Sequence, residues 1–324
     1  MRSKVVPFGA VIAFIALFAV VPQARAQVED TYVSSTGVNS GTCPISAPCL
    51  TIAFALTQTA VSGQVIILDS GDYAPFTISQ TVAVRAIPGV FATVTATSGG
   101  TAVTVNAPNA TVTLSDLHIF GFGQSGATGV QVNNAGKVQI YGGSVASFSG
   151  TGIVFAPAAN GPSGNVQFIL SGTNVGFNNS GNVLIMPTAA TSVIATIKDV
   201  FVHNSNAYGI KFDSETTTGT VYGNISNSNI AYHSGSAVNA HSLVTGGTNT
   251  NVVVNHSIIH FDSRIAGAVY ADGASAGVAL NFSEIVNTAT AWGTANGGKT
   301  YSYGNNAVNF NTNASSPTNT LTLQ

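Results

Sequence analysis

Residues 193–213, Val-Ile-Ala-Thr-Ile-Lys-Asp-Val-Phe-Val-His-Asn-Ser-Asn-Ala-Tyr-Gly-Ile-Lys-Phe-Asp, carry three alternating apolar pairs: Ala195-x-Ile197, Val200-x-Val202 and Ile210-x-Phe212. Period-2 alternation over so short a run reads as a strand with one buried face. The joints between the pairs, Lys198-Asp199 and His203 to Tyr208, are too short for a helix. A chain that turns twice in about twenty residues and then starts again cannot bury its apolar face alone. Stacking copies of the same unit solves that problem.

Copies are present. The third pair recurs as Gly129-Val130-x-Val132, Gly152-Ile153-x-Phe155, Val183-x-Ile185, Gly209-Ile210-x-Phe212, Val238-x-Ala240, Val269-x-Ala271 and Val308-x-Phe310. The steps between them are 23, 30, 27, 28, 31 and 39 residues. An upstream strand keeps pace at Val112-x-Leu114, Val138-x-Ile140, Val166-x-Phe168, Val252-x-Val254 and Val278-x-Leu280. Strands therefore hold register while turns vary in length. The fold class this implies is all-β: a parallel β-helix with three strands per coil. Parallel crossovers are right-handed in nearly all sheets, so a right-handed coil is expected.

Charged residues make up only 6% of the 324 residues, against roughly 25% in an ordinary soluble domain. No internal run approaches the roughly 18 apolar residues that a membrane-spanning helix needs. Thr, Ser, Asn and Gly fill the polar positions instead, as stacked strands and tight turns require. The N-terminus reads as a signal peptide spanning residues 1–26. Arg2 and Lys4 precede an apolar core from Phe8 to Val21, and Ala24-Arg25-Ala26 offers a small-x-small cleavage site after Ala26. The remaining 298 residues hold six Lys and Arg against eleven Asp and Glu, a net charge of −5. Nucleic acid and anionic membrane are poor partners for such a chain, and a secreted or periplasmic location is expected.

Residues 27–97 precede the regular coils and read as an N-terminal cap with the first coils; residues 98–324 read as the remaining coils and a C-terminal cap, in one continuous domain. Cys43 and Cys49 are the only cysteines. In an exported chain a disulfide is the favoured reading, since a metal site would want more than two thiols and no His is near. Thr51 to Val61 reads as a short capping helix, with Thr51 as N-cap and Ile52, Leu56 and Ala60 along one stripe.

Several stretches here are distinctive: Asp30-Thr-Tyr-Val-Ser-Ser-Thr-Gly37, Cys43-Pro-x-x-x-Pro-Cys49-x-Thr51, the Gly63 turn into Val65-Ile-Ile-Leu68, and Tyr73-Ala-Pro-Phe-Thr-Ile78. Together they resemble the opening of secreted bacterial right-handed parallel β-helix repeat proteins of the pectin-lyase-like superfamily. The tail, Tyr301-Ser-Tyr303-Gly-Asn-Asn306 and a final Thr-Leu-Thr-Leu-Gln, is similar to the way such proteins end. The resemblance implies the fold and export. Enzymes on this fold act mostly on acidic polysaccharides, and their motifs are missing: the polygalacturonase set of Asn-Thr-Asp, Asp-Asp, Gly-His-Gly and Arg-Ile-Lys does not occur. Arg264-Ile265 is followed by Ala266, and the basic residues are scattered singly.

One constellation remains. With Ile210 and Phe212 turned inward, Lys211 and Asp213 face out, as do Asn239 and His241, then Tyr270 and Asp272, in the next two coils. Asp213, His241 and Asp272 thus form one solvent-facing column and the candidate catalytic set. Lys211, Asn239 and Tyr270 form the neighbouring column and the candidate substrate-binding set. At one coil per step the two carboxylates would stand about 9.6 Å apart, near the upper end of the range inverting glycosidases use. Ordinary solvated surface is the competing reading. His203 and His233 read as a stacked pair beside a turn, with His260 one coil on and no carboxylate in their column. Asn178, Asn204, Ser234, Asp262 and Asn287 read as a ladder of turn residues. Thr288 to Tyr303, with Trp292, Lys299, Tyr301 and Tyr303, reads as an insertion that either caps the C-terminal end or offers rings to sugars.

No cofactor and no metal site is expected. The leading expectation for function is an exported carbohydrate-binding or cell-surface interaction module that meets an extracellular polysaccharide. The alternative is a polysaccharide lyase or glycoside hydrolase of unfamiliar subtype.

Overall fold

A computed structural model describes residues 27–243 and 249–322; the expected signal peptide lies outside the described residues. Among these, three parallel sheets of twelve, ten and nine strands run the length of the chain. Each coil lays one strand in the first sheet, one in the second and one in the third. Thr111–Ser115, Leu117–Phe120 and Thr128–Asn134 make one such coil. Pairing between coils is parallel, so Val112 lies beside Val138 and Val130 beside Ile153. The expected three-strand β-solenoid is the fold observed.

Alternation decides what goes inside. Ala195, Ile197, Val200, Val202, Ile210 and Phe212 are all buried in the core, as the unit at 193–213 requires. Burying each Val, Ile or Phe among them stabilises by about 1.5–3 kcal/mol, and stacking multiplies that gain coil by coil. The upstream series needs one adjustment. Val138 pairs with Phe168 rather than with Val166, because the strand Val166–Ser171 begins two residues early and pairs Val166 with Val193.

The N-terminal end is closed as expected, with different bounds. The helix spans Ile52–Gln58, and the Thr51 hydroxyl accepts from the Phe54 amide at 3.2 Å. Ile52, Ala55 and Leu56 face the core. Ala60 is not on the helix: Thr59 opens the strand Thr59–Ile67, where its buried hydroxyl lies 2.8 Å from both the Thr31 hydroxyl and the Ala55 carbonyl. That strand pairing competes with a last helical turn and wins. Cys43 and Cys49 are joined in a disulfide. The bridged loop exchanges backbone hydrogen bonds with Tyr32 and Ser34, covering what would be an open sheet edge.

The C-terminal reading is corrected. Residues 288–303 are no insertion: Trp292–Ala295 is a regular third-sheet strand paired with Val269–Asp272, and Lys299–Ser302 a regular first-sheet strand. Val308 belongs to the second sheet, in Ala307–Asn309, which pairs with Glu284–Val286. Phe310 lies just beyond it. The true third-sheet step from Val269 is therefore the 23 residues to Trp292, a buried core residue, and not the 39 to Val308. Among the described residues no helix is long and apolar enough to cross a membrane.

Candidate functional site

Both predicted columns occur on the third sheet. Lys211 pairs with Asn239 and Asn239 with Tyr270; Asp213 pairs with His241 and His241 with Asp272. The side chains engage one another as the register demands. His241 Nδ1 is 3.1 Å from Asp213 Oδ1, its Nε2 is 3.9 Å from Asp272 Oδ2, and Lys211 Nζ is 2.7 Å from Asp213 Oδ2. Glu215 adds a carboxylate 3.8 Å from Nδ1, and its amide donates to Asp213 Oδ1 at 2.9 Å.

The solvent-facing column is not what the structure contains. Asp213 is only 3% exposed, and His241 and Tyr270 are buried too; Asp272 alone of the catalytic column stays partly open. The chain leaving Asp213 turns back over it through Ser214 and Glu215, and Ser214 N bonds the His241 carbonyl at 3.0 Å. A carboxylate enclosed in this way must be neutralised locally. Burial pushes the Asp213 carboxyl up, but His241, Lys211 and the Glu215 amide outweigh it and hold it at about 2. The hydrogen bond to Asp213 raises His241 above its ordinary 6.5, against burial and Lys211.

The linkage follows in sign. The depressed Asp213 stabilises the fold above about pH 3.8, by roughly 2 kcal/mol, and loses that contribution as pH falls toward 2. The raised His241 stabilises below its unfolded value of 6.5 and loses that contribution as pH rises through the folded value. We expect NMR titration of His241 to give a pKa above 6.5, and Asp213→Asn to move it below 6.5 because burial then acts with little opposition. An unmoved titration would break the link between the two side chains.

Donor atoms of Asp213, Glu215 and His241 lie within 4.8 Å of one another. Yet both oxygens of Asp213 already face protein donors, His241 and the Lys211 ammonium. We assign no ion to them.

Beside the first column lies a hollow of ≈ 330 Å³ bounded by Tyr208, Lys211, Asn239 and Arg264 among others. Arg264 stacks its guanidinium 4.6 Å from the centre of the Tyr270 ring. Its Nε and Asn239 Oδ1 are enclosed and lack hydrogen-bond partners among the described residues. Sequence reasoning missed Arg264, which lies in a turn and matches no motif; only the folded coil places it over Tyr270.

The second-sheet histidines are also rearranged. His203 stacks over Ala231 and then His260, while His233 lies in the Ser205 column. A carboxylate does accompany His233: Asp262 Oδ1 accepts from both its backbone N and its Nδ1, at 2.8 and 2.9 Å, and the pair is fully enclosed. The expected turn ladder splits accordingly. Asn178 and Asp262 lie in one buried column, Asn204 and Asn287 in the exposed column before it, and Ser234 one residue beyond.

No protein-family model and no curated protein matches the sequence. Solved structures do match. Pectate lyase Pel9A superposes with a TM-score of 0.57 at 12% identity, over 86% of this chain and 75% of that one. The fold is a parallel β-helix, shared with that lyase. The Dettilon tailspike protein aligns over 86% of this chain and 67% of its own, with a TM-score of 0.46 at 10% identity. In this β-helix the paired columns and the hollow occupy the outer face of the third sheet, at the coils of residues 205–272.

Proposed function

We propose that the protein is exported and binds an acidic extracellular polysaccharide on the third sheet. One observation carries this reading. Lys211 and Arg264, two of the six basic residues after position 26, converge on one hollow in an otherwise acidic chain. Arg264 carries its guanidinium over the Tyr270 ring, and a guanidinium fixed in this way favours a planar carboxylate. Tyr208 and Asn239 bound the same space and suit sugar rings and hydroxyls. The likeness to a pectate lyase makes polyuronates the first ligands to try, and a disulfide-bonded chain suits the periplasm or the medium.

A second reading, a lyase or hydrolase, is supported by the Asp213–His241 pair. An imidazole oriented through Nδ1 and raised in pKa suits proton transfer near neutrality. A two-carboxylate glycosidase is the poorer version of it, because the His241 ring fills the space between Asp213 and Asp272 that water would need.

Calorimetric titration with polygalacturonate and alginate tests the binding reading. Lys211→Ala and Arg264→Ala should each weaken binding about tenfold or more, ~1.4 kcal/mol, and wild-type affinity should fall with added salt. Failure of both polyuronates to bind, or full affinity in both variants, would end it. New unsaturated or reducing ends, lost in His241→Ala, would decide for the enzyme.

A further inference from the structure

One position in successive coils, at or just after the end of the second-sheet strand, has a left-handed backbone. It is occupied by Ser147, Phe177, Asn204, Tyr232, Phe261, Asn287 and Phe310, with φ of 64°, 57°, 49°, 62°, 56°, 53° and 58°. The strand pairings stack these residues in one row. Asn tolerates this conformation; Phe and Tyr are strained in it and gain no local hydrogen bond. Nor do the rings recover that cost by burial: Phe177, Tyr232, Phe261 and Phe310 are 60%, 47%, 44% and 85% exposed. Folding alone does not account for four aromatic residues here.

Their order is regular. Phe177, Asn204 and Tyr232 line a hollow of ≈ 300 Å³, and Phe261, Asn287 and Phe310 line another of ≈ 380 Å³. The same aromatic–Asn–aromatic triplet is thus repeated three coils on, about 14 Å along the axis. Tyr232 and Phe261 stack at 5.0 Å and 9°, joining the two hollows. Their linings contain no basic residue, and the buried Asp262 is the single charged one. Exposed ring faces alternating with amides, without charge, suit sugar C–H faces and hydroxyls.

We propose that this row is a second binding track, for an uncharged glycan segment lying parallel to the solenoid axis. Phe177, Tyr232, Phe261 and Phe310 stack on sugar faces, and Asn204 and Asn287 meet hydroxyls. The track borders the basic hollow, sharing Asn206 and Ser234 with it, but rests on different residues. One branched polysaccharide with acidic and neutral segments would reach both.

The probes are the hexasaccharides of cellulose, xylan and mannan, with polygalacturonate as the acidic arm. At least one neutral hexasaccharide should bind. Phe177→Ala/Tyr232→Ala and Phe261→Ala/Phe310→Ala should each weaken it tenfold or more and leave polygalacturonate binding as it was. Lys211→Ala/Arg264→Ala should do the reverse. Phe177→Asn and Phe261→Asn should keep or raise the melting temperature while losing neutral binding, which separates a ligand role from a structural one. No bound hexasaccharide, or binding indifferent to both aromatic pairs, would overturn the proposal. So would a wild-type dimer dissociated by the Ala variants, with the rings covering a second copy.

Discussion

Gly223→Val should cost the protein about 3 kcal/mol or more, although Val is the better strand former. Gly223 faces the core from the first sheet, in the column that holds Ala195 before it and Val252 after it. A Cβ there would lie 2.4 and 2.5 Å from Phe212 Cε1 and Cζ, on the third sheet. Neither side can yield easily, since Phe212 is fully buried and interiors are close-packed. The next coil shows the opposite solution: Ala240 stands in the Phe212 column and Val252 in the Gly223 column. Phe212→Ala alone should cost about 3–5 kcal/mol through its cavity. Combined with Gly223→Val it reproduces the neighbouring pair, and most of both losses should vanish. Urea unfolding of the two single variants and the double variant measures the coupling. Additive losses would show that the two positions do not share one volume.

Such complementarity explains what the sequence makes legible and what it hides. Strand columns were readable because period 2 leaves no freedom in them. Once Ile210 and Phe212 point inward, Asp213, His241 and Asp272 must align, and they do. What a side chain meets outside the sheet depends on the turns, and turn lengths vary. Asp213 is buried because residues 214–215 return over it, which alternation along the strand cannot report. His233 lies two positions beyond the column of His203, since the strand Phe201–Ser205 runs past His203 and pairs Ser205 with His233. The last coil is hidden for a different reason: Trp292-Gly-Thr-Ala lacks the alternating apolar pair that Val308-x-Phe310 presents. The exposed aromatic row was invisible because left-handed positions are ordinarily found through Gly and Asn, and here Phe and Tyr hold them.

The second large effect concerns the buried column. Asp262→Ala should destabilise by about 3 kcal/mol, and Asp262→Asn by much less. Asp262 Oδ1 accepts from both the backbone N–H and Nδ1 of His233, and its Oδ2 has no hydrogen-bond partner among the described residues. Asn182 fixes the proton positions: its Nδ2 donates to the His203 carbonyl at 2.9 Å, so the same nitrogen, 3.2 Å away, donates to His233 Nε2. Nδ1 therefore carries the proton given to Asp262. Ala leaves both donors enclosed without an acceptor. Asn keeps a carbonyl oxygen there, as Asn178 does for the Phe148 amide in the same column at 3.1 Å. Burial raises the Asp262 carboxyl above its ordinary 3.8, so above about pH 4 the unfolded chain gives up a proton that the folded chain keeps. Wild-type stability from this group thus falls as pH rises through that interval, while Asp262→Asn has no proton to lose. The Asn variant should gain on the wild type in thermal unfolding as pH rises above about 4. If it instead loses ground as pH rises, Asp262 is held as a stabilised anion by His233, and the charge, not the acceptor, is what the column requires.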